Sequence, residues 1–238
     1  MKTTFKLLAL ALGTLTSASA LANMSVNNLS INVGAIHVAP NDSSSSLNVV
    51  ENIAGLPAGS TAVGVNSNTQ LGLTVDYKID HNWTLELIAA TPFSHDIDVE
   101  GSAIDGLDIG NTKHLPPTLL AQYHFNVGDS KLDPFIGLGL NYTKFFDTSA
   151  SSVLKSTLQT LNVASANDDV DLKLTDSWGL AMQAGVNYQL DKHWGLHLMV
   201  SKMDIDTTGE VRLNGNTIQS VDVQIDPLVA MVGVRWTM

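Results

Sequence analysis

Apolar and polar residues alternate with a period of two along most of the chain. In each alternating segment one parity carries large apolar side chains, while the other is rich in Gly, Thr, Asn and Gln. The eight segments with this pattern are 29–38, 71–79, 83–89, 115–125, 135–146, 178–188, 194–200 and 228–236. Most are near the roughly 9–11 residues that a tilted strand needs to cross a bilayer. The pattern therefore predicts an all-β protein with about eight strands.

The connections between these strands also alternate, in length. Short polar turns are predicted at 79–82, 126–133 and 190–193. Longer segments rich in Ser, Asn, Asp and Gly occupy 39–68, 94–113, 147–176 and 207–220, and we expect the serine run at 41–46 to be a solvated loop. One rim with tight turns and one with long loops is typical of outer-membrane barrels.

Alternation alone does not show which face points outward, because a soluble barrel alternates with its apolar side inward. The bulky residues share one parity, and small and polar residues suit the narrow interior of a small barrel. Aromatic residues lie next to the short turns, where a membrane-interface girdle belongs. These aromatic residues are Tyr77, Trp83, Tyr123, Phe125, Tyr188 and Trp194. We therefore predict an eight-stranded antiparallel transmembrane β-barrel with long extracellular loops and short periplasmic turns.

The net charge and the amino-terminal sequence limit the classes of protein to which the chain can belong. A formal net charge of −11, with 12 Lys and Arg, argues against a nucleic-acid partner. Lys2 and Lys6 precede a short apolar run at 7–15 and an Ala-Leu-Ala site at 20–22. This predicts a secretory signal peptide over 1–22 and a barrel over 23–238, because the run is too short for a membrane anchor. The chain has no cysteine, so no disulfide stabilises it.

Several runs of the sequence resemble the OmpW family of small outer-membrane proteins. They are "NSNTQLGLTVDY" (66–77), "ELIAATPFSHDI" (86–97), "HLPPTLLAQYHF" (114–125), "PFIGLGLNYTKFFD" (134–147), "DSWGLAMQAGVNY" (176–188), "MDIDTT" (203–208) and "IDPLVAMVGVRW" (225–236). The resemblance implies a bacterial outer-membrane location, both termini in the periplasm, a narrow interior with a hydrophobic pocket, and uptake of small hydrophobic molecules. Outer-membrane lipid and the barrel-assembly machinery are the implied partners, although Met238 stands where the family usually ends in Phe.

Inward-facing apolar residues are candidates for a ligand path. If the apolar parity faces lipid, Ile88, Leu120, Met199, Met203 and Met231 point inward, where a water-filled pore would be polar. They predict a hydrophobic ligand site, unless they only fill the barrel. The family's constriction uses apolar side chains of the third and seventh strands. Ile88 fits the first position, and Ser201 stands where relatives often carry Trp.

Ionisable residues also fall on the inward parity: Asp76, Lys78, Glu86, His197 and Arg235. Such groups are costly inside a membrane protein unless they are paired or hydrated. They indicate either a proton or ion route or a salt-bridge plug, and we favour the plug.

The sequence gives less support to a catalytic or metal-binding site than to a ligand path. His95, Asp96 and His114 lie near the long-loop rim, but no nucleophile motif accompanies them. Residues 96–101 resemble the start of a calcium loop, yet the twelfth position is Leu107 rather than the required Glu. We predict no enzymatic activity, no cofactor and no dedicated metal site.

Pro116 and Pro117 at the start of the predicted fourth strand cannot donate backbone hydrogen bonds, and Pro92 lies on the adjoining third strand. They predict either a gap in the barrel wall that serves as a lateral exit or simple strand initiation. Together with these residues, the resemblance to the OmpW family implies a passive channel for small hydrophobic molecules. The alternative is a non-transporting anchor or receptor whose loops bind partners.

Overall fold

The computed structural model describes residues 28–128 and 130–238, so the predicted signal peptide lies outside the described residues. In chain order the strands are β1 (Leu29–Ala39), β2 (Ser43–Ser44), β3 (Ala62–Val65), β4 (Asn68–Lys78), β5 (Trp83–Ala90), β6 (Phe93–Glu100), β7 (Asp108–Leu115), β8 (Thr118–His124), β9 (Leu132–Ala150), β10 (Val170–Leu174), β11 (Ser177–Gln189), β12 (Trp194–Met203), β13 (Asp206–Leu213), β14 (Asn216–Gln224) and β15 (Leu228–Thr237). Two helices are α1 (Asn48–Ala54) and α2 (Ser152–Thr160). Neither helix is long and apolar enough to cross a membrane.

Eight strands close into the predicted antiparallel barrel. Their order is β11-β12-β15-β1-β4-β5-β8-β9, and β9 pairs again with β11 to close the ring. Closure pairs the backbone groups that an open sheet leaves at its edges, which a barrel in lipid requires. We call the rim with the short turns the turn end and the opposite rim the loop end.

The large apolar side chains of the barrel strands point outward. Trp178 is 73% exposed and Leu138 is 66% exposed, whereas the alternate residues Ser177 and Gly137 point inward. Trp83 and Tyr123 pack edge to face beside a short turn, with ring centroids 5.3 Å apart. A soluble barrel would bury its apolar parity, so this arrangement selects the membrane barrel of the two predicted alternatives.

The long connections are folded rather than irregular. The upper half of β9 continues beyond the barrel and pairs with β7, which begins a sheet of order β9-β7-β6-β3. A second sheet has the order β10-β13-β14-β2. The expectation that 41–46 is only a solvated loop was wrong for β2, because Ser43 and Ser44 pair with Gln224 and Val223.

The predicted strand 115–125 is also divided. Leu115 ends β7, where it pairs with Lys144, and β8 begins only at Thr118. Pro116 and Pro117 lie between the two strands, since neither can donate to a ladder.

Candidate functional site

An apolar cavity lies between the two sheets of the loop end. Its volume is about 850 Å³, including the space at its mouth. We call it the loop-end cavity. Val63, Ile97 and Ile109 form one wall, and Val221 and Val223 belong to the facing sheet. All five side chains are buried. The apolar character of these walls fits a small hydrophobic ligand.

The floor of the loop-end cavity lies where the barrel strands pass beyond the belt of outward-facing apolar side chains. Val38, Ile205 and Pro227 line it. Further along each strand towards the turn end, the next inward residues are Ile36, Met203 and Val229, all buried. An apolar layer therefore lies directly beneath the cavity.

The six residues predicted to line a ligand path are all buried in the barrel, but none of them lines the loop-end cavity. They are Ile88, Leu120, Met199, Ser201, Met203 and Met231. Ser201 Oγ donates a hydrogen bond to the backbone oxygen of Met182 at 2.8 Å, so its single hydroxyl hydrogen is already engaged. A role of these residues in contacting a solute stays a prediction. The sequence reasoning missed the cavity walls because they belong to segments taken as loops, although β6 and β14 show the same alternation.

Below this apolar layer, charged and amide side chains fill the barrel. Arg235 pairs with Asp76 and also donates to Asn32 Oδ1 at 3.1 Å. Asn32 Nδ2 donates to Asp76 Oδ2 at 3.0 Å, and the Thr74 hydroxyl donates to Asp76 Oδ1 at 3.2 Å. The carboxylate thus accepts from three side chains, which compensates for its burial.

A second group of polar side chains runs from the middle of the barrel towards the turn end. Gln183 Nε2 donates to Glu86 Oε2 at 2.8 Å, and Gln122 Nε2 donates to Gln183 Oε1 at 2.9 Å. His124 Nε2 lies 3.1 Å from Gln122 Oε1. The parity of the strands identifies these amides as inward, but it does not show that they join into one network.

The same network continues around the barrel. His124 Nδ1 lies 2.8 Å from Asp133 Oδ1, and Asn187 Nδ2 donates to Asp133 Oδ2 at 3.1 Å. His197 Nδ1 donates to Asn187 Oδ1 at 2.8 Å. We call these two groups together the polar plug. Its members are Asn32, Thr74, Asp76, Glu86, Gln122, His124, Asp133, Gln183, Asn187, His197 and Arg235.

Lys78 differs from the other ionisable residues predicted to point inward. It is exposed at the end of β4 and lines a polar vestibule of about 610 Å³ at the turn end. Asp76 and Arg235 also line that vestibule, whereas Glu86 and His197 do not. The plug therefore separates a polar space at the turn end from an apolar space at the loop end.

The barrel wall has an unpaired stretch next to the loop-end cavity. The β5–β8 ladder ends at the pair Ile88–Thr118, and pairing resumes between β6 and β7 at Phe93–His114. No strand pair joins residues 89–92 to residues 115–117 in the described structure. We call this stretch the proline seam, because it contains Pro92, Pro116 and Pro117. On its other side the wall is intact, since Tyr142 N donates to Pro117 O at 3.0 Å.

Three aromatic rings lie in a stack behind the proline seam. Phe93 is fully buried, and its ring centroid is 5.2 Å from that of His114. His114 in turn stacks on His95, with centroids 4.9 Å apart, and both imidazoles line the loop-end cavity. These residues lie beyond the apolar belt. Burial, and then the neighbouring His95, lower the pKa of His114 to about 3.

The structure does not bring His95 and Asp96 together. Asp96 is exposed on the opposite face of β6 from His95, and it accepts a hydrogen bond from Asn66 Nδ2 at 3.1 Å. Across residues 28–128 and 130–238, no three or more His, Cys, Asp or Glu residues are grouped as a metal site.

Comparison with known proteins supports the assignment made from the geometry. The chain is 42% identical over 205 residues to Outer membrane protein W of Vibrio cholerae, covering 85% of this chain and 84% of that protein. It is 38% identical over 223 residues to Outer membrane protein W of Escherichia coli, covering 94% of this chain and 93% of the relative. The crystal structure of OprG from Pseudomonas aeruginosa superposes with a TM-score of 0.73 at 39% identity, covering 87% of this chain and 94% of OprG.

A sequence profile of the OmpW family matches residues 26–238, a range that contains every residue of the described barrel. The relatives are named outer membrane proteins, and the closed barrel with an outward apolar belt is the architecture that this membrane requires. The chain is therefore an outer-membrane β-barrel protein that belongs to the OmpW family.

Proposed function

We propose that this protein is a passive channel through which small hydrophobic molecules enter the outer membrane. The observation that carries the proposal is the loop-end cavity, a space with largely apolar walls on the extracellular side of the barrel. Burial of apolar area contributes about 25 cal/mol per Å², so a solute that buries about 200 Å² would gain about 5 kcal/mol on leaving water. Such a gain needs no external energy source.

The polar plug favours a sideways rather than an axial exit. A solute moving along the barrel axis would have to displace the Arg235–Asp76 pair and the Glu86–Gln183 hydrogen bond. Both are buried, and an apolar solute offers them no replacement partner.

The proline seam supplies a lower barrier. In the described structure the wall there contains no strand pair that must be broken, and the seam begins directly above the last β5–β8 pair, Ile88–Thr118. The proposed route runs from the loop-end cavity past Phe93 and His114, across the apolar layer with Ile88 and Leu120, and out into the membrane. Met199, Met203 and Met231 are flexible side chains that adapt to solutes of different shape.

The test is uptake of the fluorescent apolar tracer N-phenylnaphthylamine by liposomes with and without the protein. We expect faster uptake with the wild-type protein and a several-fold slower rate for Pro92→Val, which restores a backbone donor at the seam. Pro57→Val is the matched control, because Pro57 is an exposed loop proline outside the barrel. Each variant is first checked for barrel assembly by comparing the gel mobility of unheated and boiled samples.

The outcomes separate the alternatives. Equal uptake with and without the protein would contradict transport and favour an anchor or receptor whose loops bind partners. Normal uptake by an assembled Pro92→Val variant would leave transport in place and reduce the prolines to strand initiators.

A further inference from the structure

A second apolar space lies at the loop end, between the two helices, and we call it the helix crevice. It is lined by residues of α1, of α2 and the segment after it, and of β13 and β14: Val49, Val50, Ile53, Leu154, Leu158, Leu161, Val163, Val211, Ile218 and Gln219. The amide of Gln219 is already bonded, since Oε1 accepts from Val49 N at 2.9 Å and Nε2 donates to Asn48 Oδ1 at 3.1 Å. An apolar solute in the crevice would therefore not deprive this amide of its partners.

The two helices that form the crevice are fixed to different sheets. α1 contacts β14, whereas α2 contacts β7. The buried carboxylate of Glu51 in α1 accepts hydrogen bonds from the hydroxyl of Thr61 at 2.7 Å and from its backbone N at 3.0 Å. Ser151 Oγ caps α2, because it accepts from Leu154 N at 2.9 Å and donates to the backbone oxygen of Asp108 at 2.6 Å. These anchors hold the crevice open as a preformed site, which is the usual state of ligand pockets.

A β-bulge between β13 and β14 shapes the wall that faces the helices. Val211 pairs with Gln219. The next residue, Arg212, pairs with Thr217, so Ile218 is left without a partner on β13. In a regular strand, consecutive side chains point to opposite faces. The bulge changes this local geometry, and both Ile218 and Gln219 line the crevice.

The helix crevice adjoins the loop-end cavity. Val211 lines both spaces. On β14, Gln219 lines the crevice, and Val221, the next residue on the same face, lines the cavity. At the start of α1, Leu47 lines the cavity and Val49 lines the crevice. Three separate segments thus contribute to both linings, and Val211 lies at the boundary.

The exposed apolar surface around the crevice suits a small solute better than a protein partner. Of the large apolar side chains on α1 and α2, Ile53 and Val153 are exposed, at 42% and 43%. A stable protein interface buries about 800 Å² on each side, which two such side chains do not provide. A small solute needs only the crevice itself, where Leu154 and Leu158 are buried.

We propose that the helix crevice is an outer binding site for small hydrophobic solutes, which pass from it over Val211 into the loop-end cavity. The inference rests on the proposed uptake function and adds the place where a solute first leaves water. Its driving force is the same burial of apolar area that fills the cavity.

Methyl NMR of the assembled protein in lipid nanodiscs, titrated with N-phenylnaphthylamine, tests where this tracer binds. We expect saturable chemical-shift changes for the methyl groups of Leu158 and Ile218 in the crevice, and for those of Val221 and Val223 in the cavity. Leu138 is the internal reference, because it is 66% exposed on the outside of the barrel and reports tracer dissolved in the bilayer.

A charge on the crevice wall tests whether the crevice contributes to uptake. Ile53→Asp places a carboxylate in the crevice lining, so tracer affinity there should fall about tenfold and liposome uptake should slow several-fold. Val153→Asp is the matched control, because Val153 has nearly the same exposure and does not line the crevice. Equal uptake by the two variants would overturn the inference.

A smaller side chain at the boundary tests the connection between the two spaces. Val211→Ala widens the passage, so uptake should become several-fold faster, which lost stability alone would not produce. Leu213→Ala is the control, because Leu213 lies on the same strand, is also partly buried and lines neither space. The same rate for Val211→Ala and Leu213→Ala would contradict a passage over Val211.

The titration of the wild-type protein decides the inference even if a variant does not assemble. Saturable shifts in the cavity without shifts in the crevice would overturn it and leave the proposed uptake standing. Nuclear Overhauser contacts between crevice methyl groups and lipid acyl chains in the tracer-free sample would assign the crevice to lipid and also overturn it. Shifts in neither space, with equal uptake with and without the protein, would contradict both the inference and the proposed function.

Discussion

The Arg235–Asp76 pair is the interaction in the polar plug whose removal should have the clearest effect. Asp76 is 2% exposed, and the Arg235 side chain is 12% exposed. Asp76→Asn keeps the shape of the side chain but removes its charge, so the guanidinium of Arg235 loses the carboxylate with which it pairs. Removing one partner of a buried pair costs about 3–5 kcal/mol. Because Arg235 also lines the water-accessible vestibule, we expect about 2–3 kcal/mol here.

The surface pair Lys113–Asp147 provides the matched control. Its atoms are 3.3 Å apart, but its side chains are 47% and 65% exposed. Asp147→Asn should therefore change stability by less than about 1 kcal/mol. Both variants are isosteric and remove the same charge, so they differ mainly in burial.

The assay is equilibrium unfolding by urea of the protein refolded in lipid vesicles, followed by tryptophan fluorescence. A double variant, Asp76→Leu with Arg235→Met, separates charge from packing, since replacing a buried pair with apolar residues is often neutral. The reasoning fails if Asp76→Asn unfolds at the same urea concentration as Asp147→Asn, or if the double variant is less stable than Asp76→Asn alone.

Two further predictions concern a close backbone approach and a buried histidine. A Cβ added at Gly34 would lie 1.9 Å from the backbone oxygen of Val232, so Gly34→Ala should cost about 3 kcal/mol or prevent assembly. Gly209→Ala, whose nearest neighbour would be 3.9 Å away, should assemble normally, as gel mobility of unheated samples will show. The pKa of His114 is about 3 in the folded protein and about 6.5 when unfolded. The folded protein holds His114 in its neutral form. The contribution of His114 to the free energy of unfolding is therefore complete above pH 6.5 and is lost as the pH falls towards 3. Between pH 6.5 and 5 the loss should reach about 2 kcal/mol, seen as faster hydrogen exchange in β6 and β7, and His114→Phe should remove it.

The positions of the cavity and the plug connect the fold to the proposed function. The loop-end cavity presents apolar walls to the outside, whereas the turn-end vestibule is lined by groups such as Lys78, Asp133 and Arg235. The two spaces differ in the solutes they can hold, and the buried plug lies between them. The proposed exit through the wall into lipid, rather than along the axis, rests on this arrangement.

Much of the barrel was determined by the sequence alone. The period-two pattern places every other side chain on one face of a strand, so the inward parity of Asp76, Glu86, His197 and Arg235 follows from counting along the chain. The large apolar side chains on the other parity correctly indicate the face that meets lipid. The prolines in 114–125 also indicate, without coordinates, where strand pairing is interrupted before β8 begins.

Tertiary structure alone decided which residues meet. The loop-end cavity joins β3, β6 and β7 to β13 and β14, which are far apart in the sequence, and the stack of Phe93, His114 and His95 depends on the pairing of β6 with β7. The segments that form these walls carry enough Asp, Asn and Gly to resemble solvated loops, and their apolar residues are buried only when the two sheets face each other. The parity of a residue shows whether its side chain points inward or outward, but it does not show how far apart two strands lie. For that reason the hydrogen-bond network of Gln122 and Gln183 with Glu86 emerges only from the closed barrel.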